Sequence, residues 1–138
     1  MPTQPLTLLI VTPERPVLDR QADLVVLPAF RGEMGIMPGH SPAVVQLGEG
    51  ILRYNAGEEK GAFAVLGGFA EVYKNRVSVF AEGAELAEEI DEEKERQAVQ
   101  KAKQILAARG GDMTLEAAQA QLKRSLLRIK LVQHRNAH

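Results

Sequence analysis

The sequence has no cysteine. That absence excludes disulfides, thiolate catalysis and cysteine-ligated zinc, and it fits a reducing compartment. Neither charge is in excess: 17 basic residues stand against 18 acidic ones, a formal net charge of -1. This balance argues against wholesale nucleic-acid binding and against a polybasic membrane anchor. No apolar run approaches the roughly 20 residues that a spanning helix needs, and residues 1–4 lack the basic start and apolar centre of a signal peptide. These absences point to a soluble cytoplasmic protein that reaches a membrane only through other proteins. At 138 residues and 15.1 kDa the chain can own a core, since chains of this size bury about two thirds of their unfolded surface.

Residues 6–86 hold short segments rich in Val, Leu, Ile, Phe and Tyr, parted at short intervals by Gly, Pro, Asn and Asp, the pattern of a sandwich or barrel. Strands are expected at residues 6–11, 17–22, 24–27, 43–47, 51–54, 62–66, 69–73 and 77–80. Asn55, Ala56 and Gly57 offer a turn, Gly67 and Gly68 another, and Asn75 with Arg76 a tight connection. Val77, Val79 and Ala81 alternate with Arg76, Ser78 and Phe80, as in a half-buried strand. Residues 8–11 are apolar at every position, which predicts a central strand covered on both faces.

Residues 27–42 read L-P-A-F-R-G-E-M-G-I-M-P-G-H-S-P. Gly32, Gly35 and Gly39 can take positive φ, and Pro38 sets φ for the turn that Gly39 and His40 complete. Phe30, Met34, Ile36 and Met37 are too apolar for a solvated linker. The expectation is a compact, partly buried connection that carries Glu33 and His40 to one end of the β domain.

From about Glu82 the composition changes, and residues 85–109 contain neither Gly nor Pro. This reads as helix, with Asp91 as N-cap, Glu92 and Glu93 in the first turn, and Lys101, Lys103 and Arg109 towards the other end. Ala98, Ala102, Ile105 and Leu106 form its apolar stripe. Gly110 and Gly111 stop it, and Asp112 or Thr114 caps a second helix whose stripe is Leu115, Ala118, Leu122, Leu126 and Ile129. The fold class is therefore α+β: an N-terminal antiparallel β-sandwich, residues 1–86, followed by a C-terminal antiparallel two-helix hairpin, residues 87–138. A Leu or Ile contributes roughly 1.5–3 kcal/mol on burial and an Ala much less. The first helix is thus weakly glued, and the hairpin is expected to have two arrangements, folded down or extended.

Catalytic signals are weak. His40 precedes Ser41, but no G-x-S-x-G elbow surrounds them and no acid is spaced to orient the imidazole. His134 and His138 lie four apart near the terminus and make a poor metal pair. Glu92, Glu93 and Glu95 read as surface and first-turn charge, without an apolar pocket to separate them into acid and base. Lys123, Arg124, Arg128, Lys130 and Arg135 make the second helix basic, but interleaved aromatics are absent, which speaks against nucleic acid.

G-E-M-G-I-M-P-G-H-S-P, followed by an apolar run and G-E-G-I-L-R-Y, resembles the epsilon subunit family of bacterial and chloroplast F-type ATP synthases. The likeness extends through the order of elements over nearly the whole chain. It implies a non-catalytic rotor subunit of the central stalk, peripheral on the cytoplasmic face of the cell or thylakoid membrane. Its implied partners are the gamma subunit, the c-ring and the alpha/beta catalytic head. Arg31, Glu33 and Met34 would meet the c-ring, His40 the gamma subunit, and Lys123, Arg124, Arg128 and Lys130 the head, where the hairpin restrains ATP hydrolysis.

The same resemblance implies no required cofactor but a regulatory ATP on the folded hairpin. Glu85, Ile90, Asp91, Lys94, Arg124 and Arg128 fall at the matching positions. Lys94 stands where the family pattern I/L-D-x-x-R has arginine, so a planar fork is replaced by a point charge and binding should be weaker. The alternatives are a free-standing helical-hairpin adaptor or chaperone, which would not bind gamma, and a hydrolase using His40 and Ser41.

Overall fold

Leu6, Leu8 and Ile10 leave the first strand on one side and are fully buried, whereas Thr7, Leu9 and Val11 between them are half-buried. In the computed structural model, which describes residues 4–108 and 114–137, this two-residue period organises a β unit that extends to Glu85. Its strands are β1 Leu6–Val11, β2 Pro16–Ala22, β3 Leu24–Ala29, β4 Gly32–Ile36, β5 Ala43–Ala56, β6 Glu59–Tyr73, β7 Arg76–Ala81 and β8 Ala84–Glu85. They follow one hydrogen-bonded path, β2-β1-β7-β6-β5-β3-β4, with β8 paired to β6. The path folds over a single core to which every strand contributes. Val25 and Leu27 come from β3, Ile36 from β4, Leu52 from β5, Phe63 and Val65 from β6, and Val77 and Val79 from β7. Removing one such side chain to Ala costs about 2–5 kcal/mol through lost transfer energy and the cavity left behind.

Four features differ from the sequence expectation. First, β1 pairs β7 in parallel, with Leu8 opposite Val77 and Ile10 opposite Val79, so the sheet is mostly but not wholly antiparallel. β1 is central, yet its second face is only half covered. Second, part of the connection expected at 27–42 is a strand: β4 pairs β3 antiparallel from Val25–Ile36 to Ala29–Gly32. Ile36 is buried and Met34 packs against the core, while Glu33 and Gly35 face outward. That period-two pattern outweighs the glycines, and φ is positive at Gly32 and Gly39 but not at Gly35.

Third, residues 43–47 and 51–54 join into the single strand β5, which runs 14 residues. The ladder between β3 and β5 shifts register between Val26 and Ala29, and a Cβ on Gly50 would come within 2.7 Å of Pro28 Cβ. Glycine here admits a neighbouring strand instead of ending its own. Fourth, residues 62–66 and 69–73 likewise join into β6, of 15 residues. Gly67 and Gly68 have positive φ, but they bend a continuous strand where its partner changes from β8 to β7. A Cβ at Gly68 would collide with the Phe80 carbonyl oxygen.

Turn chemistry follows the sequence more closely. The tight β6–β7 turn expected at Asn75 and Arg76 falls one residue earlier: Lys74 and Asn75 both take positive φ, 48° and 60°, and Arg76 already opens β7. At the β5–β6 hairpin the Gly57 N–H donates to the Asp23 carboxylate at 2.7 Å. Beside it, Arg20 on β2 donates through both Nη atoms to the two oxygens of Glu59, at 3.0 and 3.1 Å. The guanidinium also lies over the Tyr54 ring, 5.3 Å from its centroid. This hydrogen bonding, with the charge of Arg20, holds the Glu59 carboxyl below its ordinary range.

The second unit begins at Leu86. A single 3-10 turn, Ala87–Glu89, precedes helices α1 Glu92–Ala108 and α2 Leu115–Ala137, which pack as a pair. Helix therefore starts later than residue 85. Asp91 is the N-cap, its Oδ1 accepting from the Lys94 N–H at 3.2 Å. Thr114 caps α2 in the same way, its Oγ1 accepting from the Ala117 N–H at 3.1 Å. Arg109, Gly110, Gly111, Asp112 and His138 lie outside the described residues.

The stripes are rotated from their expected places. The buried positions of α1 are Glu95, Val99 and Ala102, with Ala98, Ile105 and Leu106 half-buried. In α2, Ala118, Ser125 and Ile129 are buried and Leu122 half-buried, whereas Leu115 and Leu126 are exposed. Ser125 takes the seam position assigned to Leu126.

Candidate functional site

The β3–β4 hairpin closes over Phe30 and Arg31, and Phe30 is 67% exposed at its tip. Of the three residues assigned to the c-ring, Arg31 and Glu33 are exposed and Met34 is half-buried. Glu33 does not stand alone: its Oε2 accepts from Arg53 Nη2 on β5 at 2.8 Å. This ion pair ties the hairpin to β5.

The turn after β4 is held from both sides. The His40 N–H donates to the Met37 carbonyl at 3.1 Å, and the Gly39 N–H donates to Asn75 Oδ1 at 2.7 Å. Asn75 can do this because it occupies the left-handed position of the β6–β7 turn. His40 Nδ1 lies 2.7 Å from the Ser41 carbonyl oxygen, so that nitrogen carries the proton and donates. The ring bonds the backbone of Ser41, not its hydroxyl, an arrangement that orients a half-buried side chain and activates no nucleophile. Among the described residues no three His, Asp or Glu side chains gather as a metal site.

The β unit also carries a surface that the site residues drawn from sequence omitted. Val44 on β5 is 77% exposed, and Phe69 on β6, Tyr73 on β6 and Phe80 on β7 are exposed too. Val44 pairs with Glu71 and Gln46 with Phe69, which in turn pairs with Phe80, so these side chains share the outward face of three adjacent strands. The Phe69 and Phe80 ring centroids are 5.1 Å apart. An apolar group of this kind on an outward sheet face marks a contact surface. The signal was available, because the alternation in β7 already placed Phe80 opposite to Val77 and Val79.

In the hairpin, Lys94, Glu95, Ala98, Lys101, Ala102, Ile105, Gln121 and Arg128 line a groove of about 390 Å³. Three cations thus surround an alanine-rich floor. Of the residues assigned to ATP, Lys94 and Arg128 line this groove. Asp91 is committed to the cap, Ile90 is half-buried and Arg124 is exposed. Glu85 belongs to β8 of the other unit. Lys101 is a groove cation that the motif did not single out. On the other side of the pair, Arg96, Lys103 and Lys130 line a shallower groove of about 660 Å³ with Leu126 and Ile129. Lys123 is exposed.

One assignment is overturned. Glu95, read as surface charge, is only 9% exposed. Its Oε1 accepts from Ser125 Oγ at 3.0 Å and from Arg128 Nη1 at 3.2 Å, and Gln121 Nε2 donates to Ser125 Oγ at 2.8 Å. A carboxylate is tolerated there because the opposite helix supplies a cation and a hydroxyl.

The family model described as the ATP synthase delta/epsilon chain, beta-sandwich domain, matches residues 5–87. The ATP synthase epsilon chain of Symbiobacterium thermophilum is 42% identical over 126 residues, covering 91% of each chain. That of Elusimicrobium minutum is 49% identical over 105 residues, covering 75% of this chain and 77% of its own. Among solved structures, a chain of the Euglena gracilis mitochondrial ATP synthase, determined with OSCP, F1 and c-ring, superposes with a TM-score of 0.72. It is 24% identical, over 99% of this chain and 82% of that one. A chain of the Tetrahymena thermophila mitochondrial ATP synthase central stalk and c-ring gives 0.59 at 17% identity, over 96% and 99%. At these identities the two structures speak to the fold.

Proposed function

The chain belongs to the epsilon-chain family of ATP synthases, and on that premise we propose that it is a rotor component of the central stalk, joining the gamma subunit to the c-ring. It is a non-catalytic subunit: its work is to transmit torque and to restrain hydrolysis. The observation that carries the reading is the outward apolar face of Val44, Phe69 and Phe80, which continues from the braced His40 turn into β5. Rotary coupling needs a stiff body with a contact surface, and that face on a cross-braced sheet supplies both. We assign it, together with His40, to gamma. Phe30, Arg31 and the Glu33–Arg53 pair on the β3–β4 hairpin are assigned to the polar loops of the c-ring.

No helix among the described residues is long and apolar enough to cross a membrane, so attachment through the complex, on its cytoplasmic side, is the reading that fits. The hairpin is assigned the inhibitory role. Arg96, Lys103, Lys123, Arg124, Arg128 and Lys130 give it the charge sign suited to acidic segments of the catalytic head. The groove of Lys94, Lys101 and Arg128 is the place for a regulatory ATP, its phosphates on the cations and its base over Ala98, Ala102 and Ile105.

Removal of residues 88–138 tests the inhibitory half. Hydrolysis by the assembled head should rise while assembly persists. Unchanged hydrolysis would leave the hairpin without that role.

A further inference from the structure

Glu95 sits in the first turns of α1, and Ser125 and Arg128 on either side of the middle of α2. In an antiparallel pair these positions lie at the end away from the connecting segment 109–113, about 20 Å along the helices at 1.5 Å per residue. Separation of two helices joined at one end must begin at the other. The apolar seam near Glu95 combines the small Ala98 and Ala102 with buried Val99 and Ile129, and Leu131 and Val132 are buried further along α2. Beside these apolar contacts the two helices are joined by the hydrogen bonds of Ser125 Oγ and Arg128 Nη1 to one carboxylate oxygen, at 3.0 and 3.2 Å, with Gln121 behind Ser125.

We infer that Glu95, Ser125 and Arg128 form a latch: a built-in anion that keeps α2 against α1, and whose release frees Arg128 and lets the helices part. A single buried carboxylate cannot be left without its cation cheaply, so the closed pair is favoured only while all three groups are in place. Arg128 also lines the 390 Å³ groove with Lys94 and Lys101. The guanidinium has five N–H donors, so an anion in the groove is met through the others while Nη1 stays on Glu95, and such an anion adds to the closure of the latch. That regulatory consequence rests on the role proposed for the hairpin, but the latch itself concerns the two helices alone.

The absence of cysteine permits a direct test. Gln100→Cys on α1 and Leu126→Cys on α2, both exposed and nearly level in the pair, line the groove on its other side and accept spin labels in the full-length chain. The latch predicts a short, narrow distance distribution in the parent, shifted to longer and broader distances by Glu95→Gln, which keeps the shape but removes the charge. Arg128→Gln should shift it in the same direction. Should Glu95→Gln lower the helical circular dichroism, Arg128→Gln carries the test. Helical variants that keep the parent distribution overturn the proposal.

Discussion

Phe69 on β6 and Phe80 on β7 stand across the strand pair, 5.1 Å between ring centroids and inclined by 32°, on the outward side of the sheet. A cross-strand aromatic pair contributes about 0.5–1.5 kcal/mol to its own sheet, far less than a buried side chain would. If its main role is contact with gamma, Phe69→Ser and Phe80→Ser should each weaken that complex at least about tenfold, or ~1.4 kcal/mol, with little loss of thermal stability. Titration calorimetry against a purified gamma subunit, beside melting curves, checks this. Equal losses in both would make the pair merely structural.

Glu59 predicts an acid sensitivity. Its folded-state carboxyl is lowered by the hydrogen bonds and charge of Arg20, so the stabilisation is complete above the unfolded-state value and is lost as pH falls through the folded-state one. The Tm difference between the parent and Glu59→Gln should therefore be present at neutral pH and shrink at acid pH. It should also narrow in high salt, since the pair is exposed. A difference that grows on acidification would contradict the assignment.

Gly68 and Gly57 both have positive φ, 109° and 65°, but only Gly68 is crowded, facing the Phe80 carbonyl, while Gly57 has nothing within 4 Å. Gly57→Ala should cost about 1 kcal/mol from backbone conformation alone. Gly68→Ala should cost on the order of 2 kcal/mol or more, because the β6–β7 ladder must also shift. Urea unfolding of the two variants separates the terms.

Lys94 is the cation of the groove where its chemistry can be improved. Lys94→Arg replaces a point charge with a planar fork and should tighten ATP binding, while Lys101→Ala should weaken it. Isothermal titration of the full chain decides, and absence of heat for parent and Lys94→Arg alike would remove ATP from the account.

Local rules made the caps and turns legible. Asp91 and Thr114 act where short polar side chains precede helical runs, and Lys74–Asn75 turns where two left-handed residues are tolerated. Glycine was the misleading letter. At 48, 50, 67 and 68 it reads as an ending, yet in β5 and β6 it permits close approach or bending within unbroken strands, a use set by neighbours distant in sequence. Within 27–42 the alternation of Met34 and Ile36 with Glu33 and Gly35 carried a strand that the density of breakers concealed. Glu95 was illegible for a different reason. Three glutamates in one helical turn look alike, and only the partner helix, by bringing Ser125 and Arg128, selects one for burial. The apolar outward face was half legible, since Phe80 alternates out of phase with the core, but its alignment with Phe69 and Val44 depends on the register of three strands.

Binding to gamma tests the central claim most directly. Full-length chain mixed with a purified gamma subunit of a relative's complex, or of its own, should co-migrate in size-exclusion chromatography as a stable one-to-one complex that Phe69→Ser with Phe80→Ser dissociates. A folded chain that elutes apart from its own gamma would contradict the rotor assignment.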